Sequence, residues 1–227
     1  MKRLKFEDGE YYHIYNRGID KRALFLEQRD YFRFLAGIYH FNDTNFKPDN
    51  FDFDYQGLTL VSKLRNELAD IVCWCLMPNH YHMVLCERSE GGITKFMRRL
   101  GTGYTMYINK KYGRSGHIFQ GAFKAKHINK DVYLQHAIRY IHLNPLELYD
   151  PNWKEGGLKY NEESKNFVMK YKWSSLNDYL DNSVFPQVLA YTTKEIIHTQ
   201  KPEQYLDFLW EWTESGIPEH LAFITKV

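Results

Sequence analysis

The 227 residues are 44% hydrophobic and 17% aromatic, which is enough to bury one full-sized core and makes the chain globular. A formal net charge of only +2 excludes any argument for a nucleic-acid partner from total charge, so such an argument must rest on where the charge sits. Three cysteines, Cys73, Cys75 and Cys86, are an odd number in one short region and speak against a disulfide framework. The basic start is followed by no apolar stretch, and no later run approaches the roughly 20 apolar residues of a membrane helix, so the expected location is cytoplasmic with no membrane partner.

Residues 10–18, EYYHIYNRG, alternate with period two and close on Gly18, which predicts a strand. From Gln28, QRDYFRFLAGIYHF carries Phe32, Leu35, Ala36 and Tyr39 at helical spacing. Residues 42–57 are polar and rich in Asp and Asn, and a surface loop or insertion is expected over about 42–66. The runs ADIVCWCLM (69–77) and HYHMVLCE (80–87), separated by Pro78 and Asn79, predict a hairpin. The stretch GGITKFMRRLGTGYTMYINKKY predicts a helix with Thr94 as N-cap and Ile93, Phe96, Met97, Leu100 and Tyr107 inward, weakened in its middle by Gly101 and Gly103. AFKAKHI (122–128) is a short alternating strand, and KDVYLQHAIRYIHLNP (130–145) a helix that Pro145 terminates.

This order predicts an α+β chain with a ferredoxin-like antiparallel sheet and helices on one face, plus a C-terminal helical extension. The expected division places the principal domain at 1–150 and an accessory helical segment, without chemistry, at 151–227. In that segment Tyr205, Phe208, Leu209 and Trp212 fall at core spacing.

Side chains at i and i+2 of a strand share a face, so His80 and His82 project together and form a potential pair of metal ligands. Such a pair is also common as a plain hydrogen-bonded feature and needs a third ligand to become a site. On the 130–145 helix Tyr140 and Asn144 are i, i+4 neighbours, with His136 a turn earlier.

Cys-Leu-Met-Pro-Asn-His-Tyr-His (75–82) resembles the His-hydrophobe-His motif of single-tyrosine HUH transposases. Arg-Tyr-Ile-His-Leu-Asn-Pro (139–145) resembles the tyrosine helix of their REP-associated branch, and Tyr-Asn-Arg-Gly (15–18), Gly-His-Ile-Phe-Gln-Gly (116–121) and Trp-Ser-Ser (173–175) match further stretches. The resemblance covers about residues 10–180. It implies a transposase-like enzyme that nicks and transfers single-stranded or hairpin DNA, with Tyr140 as nucleophile and His80, His82 and Asn144 holding Mg²⁺ or Mn²⁺. Where an arginine is expected shortly after Phe-Gln-Gly, this chain has Ala122 and Phe123, with Lys124 and Lys126 as substitutes for the phosphate contact.

Local charge agrees with a DNA substrate. Lys95, Arg98, Arg99, Lys110, Lys111, Arg114, Lys124, Lys126 and Arg139 crowd the segment between the two motifs, interleaved with aromatics, and Arg17 and Gln120 of the matched stretches join the expected DNA contacts. Two rival readings stay open: a catalytically silent DNA-binding relative, and a structural zinc module built from Cys73, Cys75, His80 and His82. Monomer and homodimer are equally open.

Overall fold

The computed structural model describes residues 4–47, 66–156, 162–182 and 201–218, together with Phe185, Val188, Leu189 and Leu221. The elements follow in the expected order: β1 (Tyr11–Arg17), α1 (Gln28–Phe41), β2 (Ala69–Met77), β3 (His80–Glu87), α2 (Gly92–Tyr112), β4 (Lys124–Ile128) and α3 (Asp131–Leu143). Shorter helices come next, α4 (Leu146–Tyr149), α5 (Trp153–Gly156), α6 (Glu162–Lys170) and α7 (Leu176–Tyr179), and then α8 (Pro202–Ser215). The four strands form one antiparallel sheet in the order β2-β3-β1-β4, so the α+β, ferredoxin-like reading holds. Residues 48–65 of the expected 42–66 loop lie outside the described residues. Its ends are tied together, the Thr44 N–H donating to Asn66 O and the Leu68 N–H to Asn42 O.

Phe34 of α1 packs on Tyr104 of α2 and on Tyr81 of β3, so α1 and α2 cover the Tyr81 face of the sheet. The expectation that helices occupy one face alone is corrected by α3, which lies on the other face with the Tyr140 ring 5.5 Å from His82. The physical reason is that β3 is buried at every position and β2 at all but one, so both faces of the hairpin need apolar cover.

Helix α1 buries Leu35 and Ala36 of the expected set together with Phe34, Ile38 and Phe41, while Phe32 packs edge-on against Trp173 from the C-terminal part. Helix α2 starts at Gly92, two residues before Thr94, because the Glu87 carboxylate accepts the Gly92 and Ile93 N–H groups at 3.0 and 2.7 Å and so replaces a hydroxyl cap. Gly103, which lowers helix propensity, is where α1 and α2 approach: a Cβ there would stand 2.7 Å from the Phe41 ring.

The C-terminal part joins the same core. The Leu76 N–H donates to Trp173 O and the Ser175 N–H to Trp74 O, so the Trp-Ser-Ser stretch covers the free edge of β2. Helix α8 docks on α3, where His142 is hydrogen-bonded between Tyr205 Oη at 2.6 Å and Ser175 Oγ at 2.9 Å. Among the described residues no helix is long and apolar enough to cross a membrane.

Candidate active site

The motif stretches that are far apart in sequence meet at one end of the sheet. The Gly18 N–H donates to Asn79 O of the hairpin turn, Gln120 N–H to Arg17 O, and Asn16 Nδ2 to Gly121 O. Pairing of β1 with β3 sets Arg17 opposite His80 and Tyr15 opposite His82. His13 thereby points to the same face, and its Nε2 lies 2.8 Å from His82 Nδ1.

His80 and His82 are buried, their ring centroids 5.1 Å apart and their planes at right angles. His80 Nδ1 is 2.6 Å from Asn79 Oδ1. Each imidazole therefore has its Nδ1 engaged, which orients the ring and leaves Nε2 for another partner. Burial pushes the His80 pKa down to about 4, Arg17 and Lys154 adding to the effect against Glu147 and Asn144. Burial likewise holds His82 well below the usual histidine range, with His13 and His80 contributing. Both rings are neutral at pH 7, the form that has a lone pair to give.

Tyr140 and Asn144 project from the α3 side onto these histidines. The Tyr140 ring stands edge-on to His82 and to His13, at 5.5 and 6.1 Å. Asn144 Nδ2 donates to Tyr140 O, and the Asn144 side chain also acts on the titration of both His80 and Tyr140, within reach of each. His82 Nε2 and Asn144 Oδ1 are buried and have no hydrogen-bond partner among the described residues. An unsatisfied buried polar atom costs about 1–3 kcal/mol. Both atoms are of the type that ligates a divalent cation, so the donor set His80, His82 and Asn144 fits one. Among the described residues no three His, Cys, Asp or Glu side chains converge as a cation site, so the amide is required for a third protein ligand.

Two charged residues without any sequence motif complete the cluster. Lys154 donates to Glu147 Oε2 at 2.9 Å and to the Tyr140 hydroxyl at 3.3 Å. Burial raises the Tyr140 pKa, and Lys154 works against that rise. Burial alone would raise Glu147, but Lys154 and His80 outweigh it and hold the carboxyl below its ordinary range. His13, Glu147 and Lys154 carried no local signal: strand register and the return of the chain after α3 bring them here.

The remaining expected contacts fall into separate groups. Lys124 and Lys126 are on the histidine face, opposite Tyr15 and His13, with their ammonium groups over the Tyr15 ring. Arg98 and Gln120 line a groove of about 610 Å³ between α2 and residues 117–123, on the Tyr81 side. Lys95, Lys110 and Arg114 are carried by α2 and the turn after it, Lys110 exposed and the other two half-buried. Three others are engaged inside the protein. Arg99 donates to the Phe41 and Asp43 carbonyls, and Lys111 pairs with Asp30 and Glu27. Arg139, expected at the DNA, is instead buried, stacked on Phe208 and Trp212 and paired with Glu211 at 2.8 Å. The zinc reading finds no support in the geometry, since among the described residues Cys73, Cys75, His80 and His82 do not converge as a cation site.

The family model described as transposase, IS200-like, matches residues 59–144, a span that contains His80, His82, Tyr140 and Asn144. The solved structure of a REP-associated tyrosine transposase bound to a REP hairpin superposes with a TM-score of 0.54 at 16% identity, covering 84% of this chain and 90% of that one. The fold is therefore shared with a REP-associated tyrosine transposase, and the resemblance read from the motifs is borne out. A tRNA(His) guanylyltransferase from Saccharomyces cerevisiae aligns over 97% of this chain and 86% of that one, with a TM-score of 0.37 at 8% identity, too distant to bear on the fold. No curated protein matches.

Proposed function

We propose that the protein is a transposase-type enzyme that nicks and rejoins single-stranded or hairpin DNA, with Tyr140 as nucleophile and His80, His82 and Asn144 as ligands of Mg²⁺ or Mn²⁺. The observation that carries this reading is the pair of orphaned buried atoms, His82 Nε2 and Asn144 Oδ1, next to the phenol of Tyr140. Of the buried unpartnered side-chain atoms among the described residues, these two belong to side chains that touch Tyr140 and each can offer a lone pair to a cation.

A phenol with an ordinary pKa of about 10 is a weak nucleophile at neutral pH, and a phosphodiester repels an incoming anion. A divalent cation, when bound, supplies Lewis-acid neutralisation of the phosphate and stabilises the departing 3′ oxygen. The chain's own residues do the rest. His13 and Asn79 hold the two imidazoles in orientation, and α3 fixes the phenol against them. Attack of the Tyr140 oxygen on phosphorus forms a phosphotyrosine at the 5′ end and releases a 3′ hydroxyl. Because that ester conserves the bond's energy, the reverse attack by a 3′ hydroxyl rejoins strands without a nucleotide cofactor. Tyr140 is fully buried, so a phosphodiester reaches it only when side chains at the rim shift.

The solved relative is bound to a REP hairpin, which supports a foldback substrate for this chain. Lys124, Lys126 and Arg17 on the histidine face are the proposed contacts nearest the scissile phosphate. Lys95, Arg98, Lys110, Arg114 and Gln120 are proposed to hold DNA further away. The test is incubation of the full chain with Mn²⁺ and single-stranded oligonucleotides that carry a foldback stem flanked by randomised nucleotides. DNA labelled 3′ of the nick becomes covalently attached to the peptide spanning Arg139 to Asn144, and Tyr140→Phe binds the DNA without forming the adduct. An adduct on another tyrosine, or nicking with no adduct, would refute the assignment.

A further inference from the structure

The cation that reaches the Tyr140 oxygen comes from the segment expected to be accessory. Lys154 is on α5, a helix of one turn whose first residue, Trp153, is fully buried. The Lys154 backbone carbonyl accepts the Ile217 N–H, so the chain just after α8 also ties α5 down. From this fixed base the side chain passes the Tyr140 ring, its Nζ 5.2 Å from the centroid, and ends between the phenol oxygen and Glu147. Its side chain is about one-quarter exposed, so the ammonium is partly screened from water and bridges two groups of the site. A lysine needed only to pair with Glu147 could do so as a surface salt bridge, which contributes little. The burial of Trp153 and the second hydrogen bond to a reacting oxygen are what such a pair does not require.

We propose that Lys154 is a catalytic residue of the Tyr140 reaction, holding the phenol oxygen in place and stabilising it as an anion during attack. The proposal rests on the reading of Tyr140 as nucleophile. In the step, the phenol proton leaves to water and the oxygen keeps the hydrogen bond from the Lys154 ammonium. The oxygen's electron pair then forms the bond to phosphorus while the P–O3′ bond breaks, and the 3′ oxygen takes a proton from water. Glu147 positions the ammonium and exchanges no proton. A preformed donor aimed at an oxygen whose charge changes during reaction is worth most in a site shielded from water.

The test measures adduct formation by the full chain at saturating Mn²⁺ and saturating foldback oligonucleotide. Lys154→Met is expected to slow the covalent step about 100-fold, while the Kd for DNA and the Mn²⁺ midpoint stay within about threefold of wild type. Lys154→Arg, which keeps a cationic donor, should recover part of the rate, and ethylammonium added to Lys154→Ala should do the same. A wild-type rate in Lys154→Met, or a loss matched by weakened DNA binding, overturns the proposal and leaves the Tyr140 reading standing. Should Lys154→Met fail to fold, the amine rescue of Lys154→Ala decides, and no rescue counts against the proposal. Absence of any adduct in the wild type overturns both readings together.

Discussion

His13 Nε2 lies 2.8 Å from His82 Nδ1, two buried imidazoles on neighbouring strands with their rings nearly stacked. In the arrangement that gives His82 a proton on Nδ1, His13 accepts it, and the His82 lone pair is left on the orphaned Nε2. In that arrangement His13 fixes the tautomer of the proposed ligand without touching the cation. His13→Phe keeps the ring volume and removes the acceptor. Manganese titration of DNA cleavage should show the midpoint rising about 10- to 100-fold, with cleavage recovered at high Mn²⁺. An unchanged midpoint would detach His13 from the site.

His142 tests the link between the catalytic helix and the C-terminal part. Burial lowers its pKa to about 3, and it is hydrogen-bonded to Tyr205 and Ser175. The unfolded chain binds a proton near pH 6.5, whereas the folded protein does not until far lower, so stability is fully present above pH 6.5 and is lost as the pH falls towards 3. Between pH 7 and 5 this one residue should cost about 2 kcal/mol of unfolding free energy. Urea titrations at the two pH values check it. His142→Gln should be less stable at pH 7 and have a flatter pH dependence, and an equally steep dependence would place the effect elsewhere.

The basic residues should separate by function. Lys124→Ala and Lys126→Ala are expected to weaken single-stranded DNA binding and to lower the slope of log K against log salt by about 0.7 each. Lys111→Ala, which removes the ammonium from the fully buried Asp30 carboxylate while Tyr107, Tyr112 and the Leu26 and Glu27 N–H groups still donate to it, should leave that slope alone and destabilise the fold by about 1–3 kcal/mol. Arg139→Ala should likewise cost stability through lost packing on Phe208 and Trp212. Fluorescence anisotropy across a salt series, paired with denaturation curves, separates the two classes. A changed salt slope in Lys111→Ala or Arg139→Ala would return those residues to the DNA footprint.

Local periodicity made the elements legible, and the sheet followed from their order. The i, i+2 spacing of His80 and His82 and the i, i+4 spacing of Tyr140 and Asn144 likewise read off two elements correctly as shared faces. What the sequence could not convey was which faces meet. The unbroken apolar run of β2 hinted at cover on both sides, yet only packing shows that α3 supplies it and that His82 is fully buried rather than turned to solvent. His13 was one more alternating residue of a strand until the pairing of β1 with β3 set it beside His82. Arg139 looked like a DNA contact because it belongs to the basic stretch between the two motifs, whereas α8, some 70 positions on, turns it into a core residue.

Asn144 offers the sharpest separation of metal binding from nucleophile. Its Oδ1 is orphaned while its Nδ2 is bonded to Tyr140 O, so the amide has one free ligand atom in a fixed orientation. Asn144→Ala removes that atom and leaves the phenol, so adduct formation should fall at low Mn²⁺ and need about 10- to 100-fold more metal to recover. Asn144→Asp replaces the amide oxygen with a carboxylate, a stronger ligand for a hard cation, and should need no more metal than wild type. It also sets a negative charge near Tyr140, which raises the phenol pKa further, so without metal-bound neutralisation the pH for half-maximal adduct formation should move upward. The rates are read by gel from the same labelled oligonucleotide across a grid of pH and Mn²⁺ concentration. If added Mn²⁺ fails to recover Asn144→Ala while the protein stays folded and binds DNA, Asn144 is not a ligand, and its importance lies in holding Tyr140.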